Sequence, residues 1–236
     1  MSLTLIGTGI SFDLTLSAIE ELKQCDEIYI ERYTNLIEDE KITTLEQKIN
    51  KKIIRIERKE VESSFLINKA KTAKIALLAS GDPLTATTHV SLLLDAKTAK
   101  IAVKIIPNSS IFTVAAGKAG LQIYRFGKTA TLVNPRPNYK PTSALDIVRE
   151  NQQRNAHSLV LLDTEPKPME AKVALEMLNE FNSAVVLSRL GEKDEKISYG
   201  EIAKLLASTL GNPPFSIIIP AKPHMVEEEY LELLKV

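Results

Sequence analysis

The sequence predicts two α/β domains built on mainly parallel or mixed sheets, and three observations lead there. Segments dense in apolar and β-branched residues alternate with stretches of helical period. One of them, residues 75–79, is continuously apolar, as a strand covered on both faces must be. Two glycine-containing turns, Gly7-Thr8-Gly9 and Ser80-Gly81-Asp82-Pro83, stand where such segments stop. Strand, helix, strand in repeated order implies parallel pairing with helices on the faces.

In chain order, residues 3–6 form the first strand, followed by a helix over 13–24 whose apolar face is Leu14, Leu16, Ile19 and Leu22. Residues 27–30 and 53–56 read as strands, with an amphipathic stretch around 45–49 between them. After the strand at 75–79 come a helix over 88–97 and a strand over 101–106. A Gly- and Ala-containing helix over 111–119 ends at Gly120, and a strand over 130–133 leads into the Pro-rich loop 134–141. Further strands are expected at 159–162, 184–188 and 216–219, with helices over 142–151, 169–179 and 201–206. The change in texture near 107–128 places the two domains at 1–110 and 111–236.

Composition excludes several classes. With 236 residues, 44% hydrophobic and 25% charged, the chain can bury a sizeable core without metal or disulfide support. Cys25 stands alone, which fits a reducing, cytoplasmic compartment and leaves no cysteine metal cluster. The first residues lack a basic region followed by an apolar signal core, and no apolar run approaches the length of a membrane span. Thirty basic residues balance thirty acidic ones, whereas phosphate-backbone binding usually needs a basic surplus. His89, His157 and His224 are far apart, so no metal site is expected, and lone histidines read as satisfied structural groups. A serine-hydrolase elbow and a phosphate loop are also missing.

The motifs that remain are ligand-loop candidates. Gly7-Thr8-Gly9 is either a structural turn or a place where a ligand approaches the backbone. Phe12 stands where a dinucleotide fingerprint would place its third glycine, although Glu31 falls near the usual ribose-binding acid. In Ser80-Gly81-Asp82-Pro83-Leu84-Thr85-Ala86-Thr87-Thr88-His89, Pro83 biases Asp82 towards an extended backbone. The hydroxyl residues there either cap the next helix or donate to a ligand. Ser109-Ser110-Ile111 reads by itself first as a helix cap, and its place after the last strand of the first half also suits a ligand-contacting interdomain connection. The acidic run Glu227-Glu228-Glu229 is expected to be a solvated helix start.

Leu5-Ile6-Gly7-Thr8-Gly9-Ile10 resembles the opening of the tetrapyrrole-methylase-like, or class III, methyltransferases. Within them, ordered strings over nearly the whole chain resemble the diphthine synthase family. They include Gly81-Asp82-Pro83-Leu84, Ala86-Thr87-Thr88-His89, Gly120-Leu121-Gln122-Ile123-Tyr124-Arg125-Phe126-Gly127-Lys128, Leu161-Leu162-Asp163, Gly211-Asn212-Pro213-Pro214, Pro220-Ala221-Lys222-Pro223-His224 and Glu229-Tyr230-Leu231. The resemblance implies S-adenosylmethionine in an interdomain cleft, S-adenosylhomocysteine as product, no metal, and a homodimer. It also implies methylation, repeated to a trimethylammonium, of the amino group on a carboxy-aminopropyl-modified histidine of elongation factor 2.

Carried over position by position, the cofactor contacts implied are Ile10, Asp82 and Thr85 in the first domain, Ser110 and Ile111 in the interdomain turn, and Leu162, Leu190 and Phe215 in the second domain. No residue is assigned as catalytic base. Arg136, Tyr139 and Lys140 in the Pro-rich loop are either solvated or contacts for the protein substrate. A small-molecule methyltransferase of tetrapyrrole type and a silent cofactor-binding protein are the alternative readings.

Overall fold

Strands apolar on both faces need helices on two sides, and the first half of the chain supplies them. The strands are β1 (Ser2–Gly7), β2 (Glu27–Glu31), β3 (Ile53–Ile56), β4 (Lys74–Ala79) and β5 (Ala102–Ile106). The computed structural model describes residues 1–33, 37–135, 142–165 and 167–236. It divides into two units, Met1–Ile111 and Phe112–Val236. In the first unit every pairing is parallel and the strand order is β3-β2-β4-β1-β5.

Helices α1 (Leu16–Gln24), α2 (Asp39–Ile49), α3 (Arg58–Val61), α4 (Phe65–Ala70) and α5 (Val90–Thr98) join these strands. Alternation along β1 and β4 feeds two cores. Ile6, Ala76 and Leu78 pack with Ile19, Leu22, Ile42 and Leu45 from α1 and α2. Leu3, Leu5, Ile75 and Leu77 pack with Leu66, Ile67, Leu92 and Ala96 from α4 and α5. Helix α1 starts later than its sequence pattern suggests, because the Thr15 side chain accepts the Ala18 N–H at 3.2 Å and caps it. Leu16, assigned from the pattern to its apolar face, is instead 82% exposed. The short helices α3 and α4 escape sequence reading, since neither is long enough to show a period.

The second unit opens with α6 (Ile111–Lys118), all but its first residue, and a 3₁₀ turn at Ile123–Arg125. It comprises β6 (Ala130–Leu132), α7 (Ser143–Gln153), β7 (Ser158–Leu162), α8 (Ala171–Met177), β8 (Ser183–Ser188), β9 (Lys196–Glu201), α9 (Ile202–Ala207), β10 (Phe215–Ile219) and α10 (Met225–Leu233). Its sheet is mixed, in the order β6-β7-β10-β8-β9, and only β6–β7 is parallel. A strand–helix–strand rhythm alone would make it parallel. The unread strand β9 changes this: it turns straight back on β8, and β10 then inserts between β7 and β8.

The strings at 120–128 and 220–231 meet in a buried polar knot of this unit. Glu227, expected to be solvated, is 1% exposed, whereas Glu228 and Glu229 are exposed as expected. Its Oε1 accepts the Gln122 backbone N–H at 2.9 Å; its Oε2 accepts the His224 backbone N–H at 2.7 Å and the Arg125 guanidinium. Arg125 also donates to the Lys222 carbonyl at 2.7 Å. His157 Nδ1 accepts the Ala221 N–H at 3.0 Å, which leaves the neutral ring's hydrogen on Nε2, 3.4 Å from Glu227 Oε1. The ring of Tyr230 lies against Gly120, where a Cβ would approach within 2.1 Å, and Gly120 has φ of +68°. Nearby, Asn151 grips Lys128 from both sides, accepting its N–H at 3.1 Å and donating to its carbonyl at 2.8 Å.

This knot is expected to make the fold acid-sensitive. Burial holds the His157 imidazole below its ordinary value of 6.5, against the pull of Glu227. Burial opposes the Glu227 charge too, but the His224 and Gln122 N–H groups and the His157 and Arg125 charges outweigh it and hold the carboxyl below 4.5. Both folded values lie below the unfolded ones, so both contributions are present above the unfolded value and are lost as pH falls through the folded one. The urea midpoint is expected to fall between pH 7.5 and 5.5, and this drop should shrink in His157→Gln. Equal drops in the two proteins would show that the fold accepts the His157 proton freely.

Candidate functional site

The first sheet has one reversal of chain order. From β1 the chain crosses to β2 on one side, and from the adjacent β4 it crosses to β5 on the other. Parallel α/β sheets take ligands outside the carboxyl ends of strands at such a point. Three loops leave the sheet there, after the adjacent strands β4, β1 and β5.

Gly9 and Gly81 lock the first two loops by exchanging hydrogen bonds, Gly9 N–H to Gly81 O at 3.0 Å and Gly81 N–H to Gly9 O at 3.2 Å. Gly7 is needed for their approach: a Cβ there would lie 2.5 Å from the Gly81 carbonyl oxygen and 2.9 Å from Asn108 Cβ. The structural-turn reading and the ligand-loop reading of Gly7-Thr8-Gly9 are thus compatible, because the turn is what brings the loops together.

The Asp82 carboxylate organises its own loop. Oδ1 accepts the Leu84 N–H at 2.9 Å and the Thr85 hydroxyl at 3.1 Å, and Oδ2 accepts the Asn108 N–H at 3.4 Å. The hydroxyls that followed it in sequence serve the loop rather than cap α5. Thr87 Oγ1 donates to the Pro83 carbonyl at 3.0 Å, and the buried His89 ring donates to the same oxygen from Nδ1 at 2.8 Å. These bonds hold Ala86 at φ of +56°, a left-handed conformation costly for a residue with a Cβ. Phe12, in the loop after β1, is also left-handed at +64°.

Ile10 donates its N–H to Ser109 Oγ at 3.3 Å, so the β1 loop is tied to the segment that carries Ser110 and Ile111. Ser110 is buried and Ile111 opens α6. The five first-unit candidates therefore gather at one end of the first sheet. Leu162, Leu190 and Phe215 gather at one end of the second. β7 ends at Leu162 and β10 begins antiparallel beside it at Phe215, which pairs with Ser188 two residues before Leu190. Leu190 and Phe215 are buried and Leu162 is partly buried. Their separation in sequence conceals this, and antiparallel insertion of β10 creates it.

Asn108 ties the first sheet's three loops together, and it is absent from the candidates drawn from sequence. Its Nδ2 donates to the Gly7 carbonyl at 3.1 Å and the Asp13 carbonyl at 2.9 Å, while Oδ1 accepts the Ser109 N–H at 2.8 Å. An asparagine directly after Pro107 at a strand end is a turn signal, but nothing local tells that its amide reaches residues about a hundred positions away. Arg136, Tyr139 and Lys140 lie outside the described residues. Among the described residues, no group of three or more His, Cys, Asp and Glu side chains is placed to hold a metal ion, and no helix is long and apolar enough to cross a membrane.

At the end of the first sheet the candidates offer one carboxylate beside hydroxyls and main-chain groups, and at the end of the second they offer apolar surface. Of the eight candidates, five are apolar and offer main-chain groups and apolar surface, two offer hydroxyls, and Asp82 alone is ionisable. Two glycines bring backbone, without side chains, to the same place.

The family described as Tetrapyrrole (Corrin/Porphyrin) Methylases matches residues 2–206. The chain is similar to a diphthine synthase of Methanocaldococcus jannaschii, 39% identical over 98% of both chains. It is also similar to a diphthine synthase of Staphylothermus marinus, 37% identical over 96% of this chain and 91% of the other. A solved crystal structure of diphthine synthase superposes with a TM-score of 0.91 at 30% identity, covering 100% of this chain and 96% of that one.

Proposed function

This chain belongs to the tetrapyrrole (corrin/porphyrin) methylase family and, within it, to the diphthine synthases, and from that membership we propose how its strand-end loops act. It is an S-adenosylmethionine-dependent methyltransferase of the diphthine synthase type. The donor is taken up by Ile10, Asp82, Thr85, Ser110 and Ile111 together with Leu162, Leu190 and Phe215, in the cleft arrangement the resemblance implies. The acceptor is the amino group of the carboxy-aminopropyl-modified histidine of elongation factor 2, methylated repeatedly to a trimethylammonium. The enzyme works in the cytoplasm as a homodimer.

When bound, S-adenosylmethionine supplies a methyl group already activated on a sulfonium. The chain's own task is alignment of the attacking amine with that methyl, worth about 7–11 kcal/mol in ideal cases. Gly7 and Gly81 keep side chains out of the approach, Asp82 holds the Gly-Asp-Pro loop in one conformation, and the apolar candidates exclude water. The amine must shed a proton before each attack, and the nearby cationic donor itself disfavours the ammonium form. No side chain is assigned as base.

Similarity along the whole chain to diphthine synthases is the observation that carries this reading. Calorimetry with S-adenosylmethionine is expected to show binding below millimolar concentration. Incubation with modified elongation factor 2 should then add mass in multiples of a methyl group. Absence of donor binding would overturn the enzyme reading; binding without added mass would overturn the substrate and favour a small-molecule acceptor.

A further inference from the structure

Three loops leave adjacent strands at the end of the first sheet, and one side chain touches two of them while its own backbone touches the third. The Asn108 amide donates to Gly7 O at 3.1 Å and to Asp13 O at 2.9 Å, at either end of the β1 loop. Its backbone N–H reaches Asp82 Oδ2 at 3.4 Å in the β4 loop. Its Oδ1 accepts the Ser109 N–H at 2.8 Å, and Ser109 Oγ in turn accepts the Ile10 N–H at 3.3 Å. The amide orientation is set by its partners, since both carbonyls only accept and the Ser109 N–H only donates.

We infer that Asn108 is a positioning residue for the methyl donor, joining the three strand-end loops in one register so that Ile10, Asp82 and Ser110 address a single ligand. The inference rests on the reading that these loops hold S-adenosylmethionine. None of the Asn108 side-chain bonds belongs to the β-ladder, so they restrain the loops rather than build the sheet. Gly7 supports the same conclusion: a Cβ there would lie 2.9 Å from Asn108 Cβ, so only a residue without a side chain lets Asn108 sit where it does. Both donors of the amide are needed. An aspartate has the same shape, but it offers no N–H and sets oxygens against two carbonyls.

Calorimetry with S-adenosylmethionine on Asn108→Asp is expected to give a dissociation constant about tenfold or more above that of the unaltered protein. Asn151→Ala serves as the structural control, because Asn151 clamps Lys128 within the second unit. It should lower the melting temperature and leave donor affinity unchanged. A dissociation constant unchanged in Asn108→Asp overturns the inference alone. Equal weakening in Asn151→Ala also overturns it, by showing that loss of stability suffices. An unaltered protein that binds no donor overturns the enzyme reading, and this inference with it. If Asn108→Asp does not fold, the exposed Ser109→Ala decides: about threefold weaker binding at an unchanged melting temperature supports the inference, and unchanged affinity overturns it.

Discussion

Glu227→Ala is expected to cost about 3–5 kcal/mol of stability, the usual penalty for removing one partner of a buried charge pair. The truncation strands three donors at once: the Arg125 guanidinium and the Gln122 and His224 backbone N–H groups. Arg125 keeps the Lys222 carbonyl but loses the carboxylate it pairs with, at a side chain just 19% exposed. For a chain of this size the melting temperature should fall by roughly 6–20 °C. Glu227→Gln keeps an acceptor oxygen and should cost less, roughly 1–3 kcal/mol. Urea unfolding of the three proteins measures both steps. A loss below about 1 kcal/mol in Glu227→Ala would mean that water reaches the vacated site and satisfies the stranded donors.

Asp82→Ala is expected to show the opposite pattern, with a large effect on the donor and a small one on stability. The carboxylate is partly exposed and lies in a loop, so few core contacts are lost. It nevertheless anchors Leu84, Thr85 and Asn108, and Ala86 keeps its left-handed backbone inside the same loop. Hydrogen bonds to a charged group are each worth about 1.5–3 kcal/mol, so affinity for S-adenosylmethionine should fall roughly 30-fold or more. Asp82→Asn retains the Oδ1 acceptor and should recover most of it. Calorimetry at a temperature well below both melting points separates affinity from folding. Unchanged affinity in Asp82→Ala would confine its carboxylate to shaping the loop, with no consequence for the ligand.

The two variants differ in how visible their residues are in sequence. Asp82 sits in a ten-residue string whose glycine, proline and hydroxyls all act within a few positions of it, and so it is legible. Glu227 sits in an acidic run whose local pattern describes a solvated helix start. For Glu228 and Glu229 that description is right. For Glu227 it fails, because the partners that bury it come from residues 122, 125 and 157. The same reason hid Asn108, and it hid the convergence of Leu162, Leu190 and Phe215.

By itself, the sequence determined the parallel α/β plan of the first unit, the two glycine turns at its strand ends and, through ordered strings, the family. Each of these depends on residues close together in the chain, where periodicity and turn chemistry leave a mark. Only the tertiary structure decided the antiparallel course of β8, β9 and β10, the burial of Glu227 and the union of three loops on Asn108. These depend on pairings between segments tens to a hundred residues apart, and the hydrogen bonds that make them have no period to read.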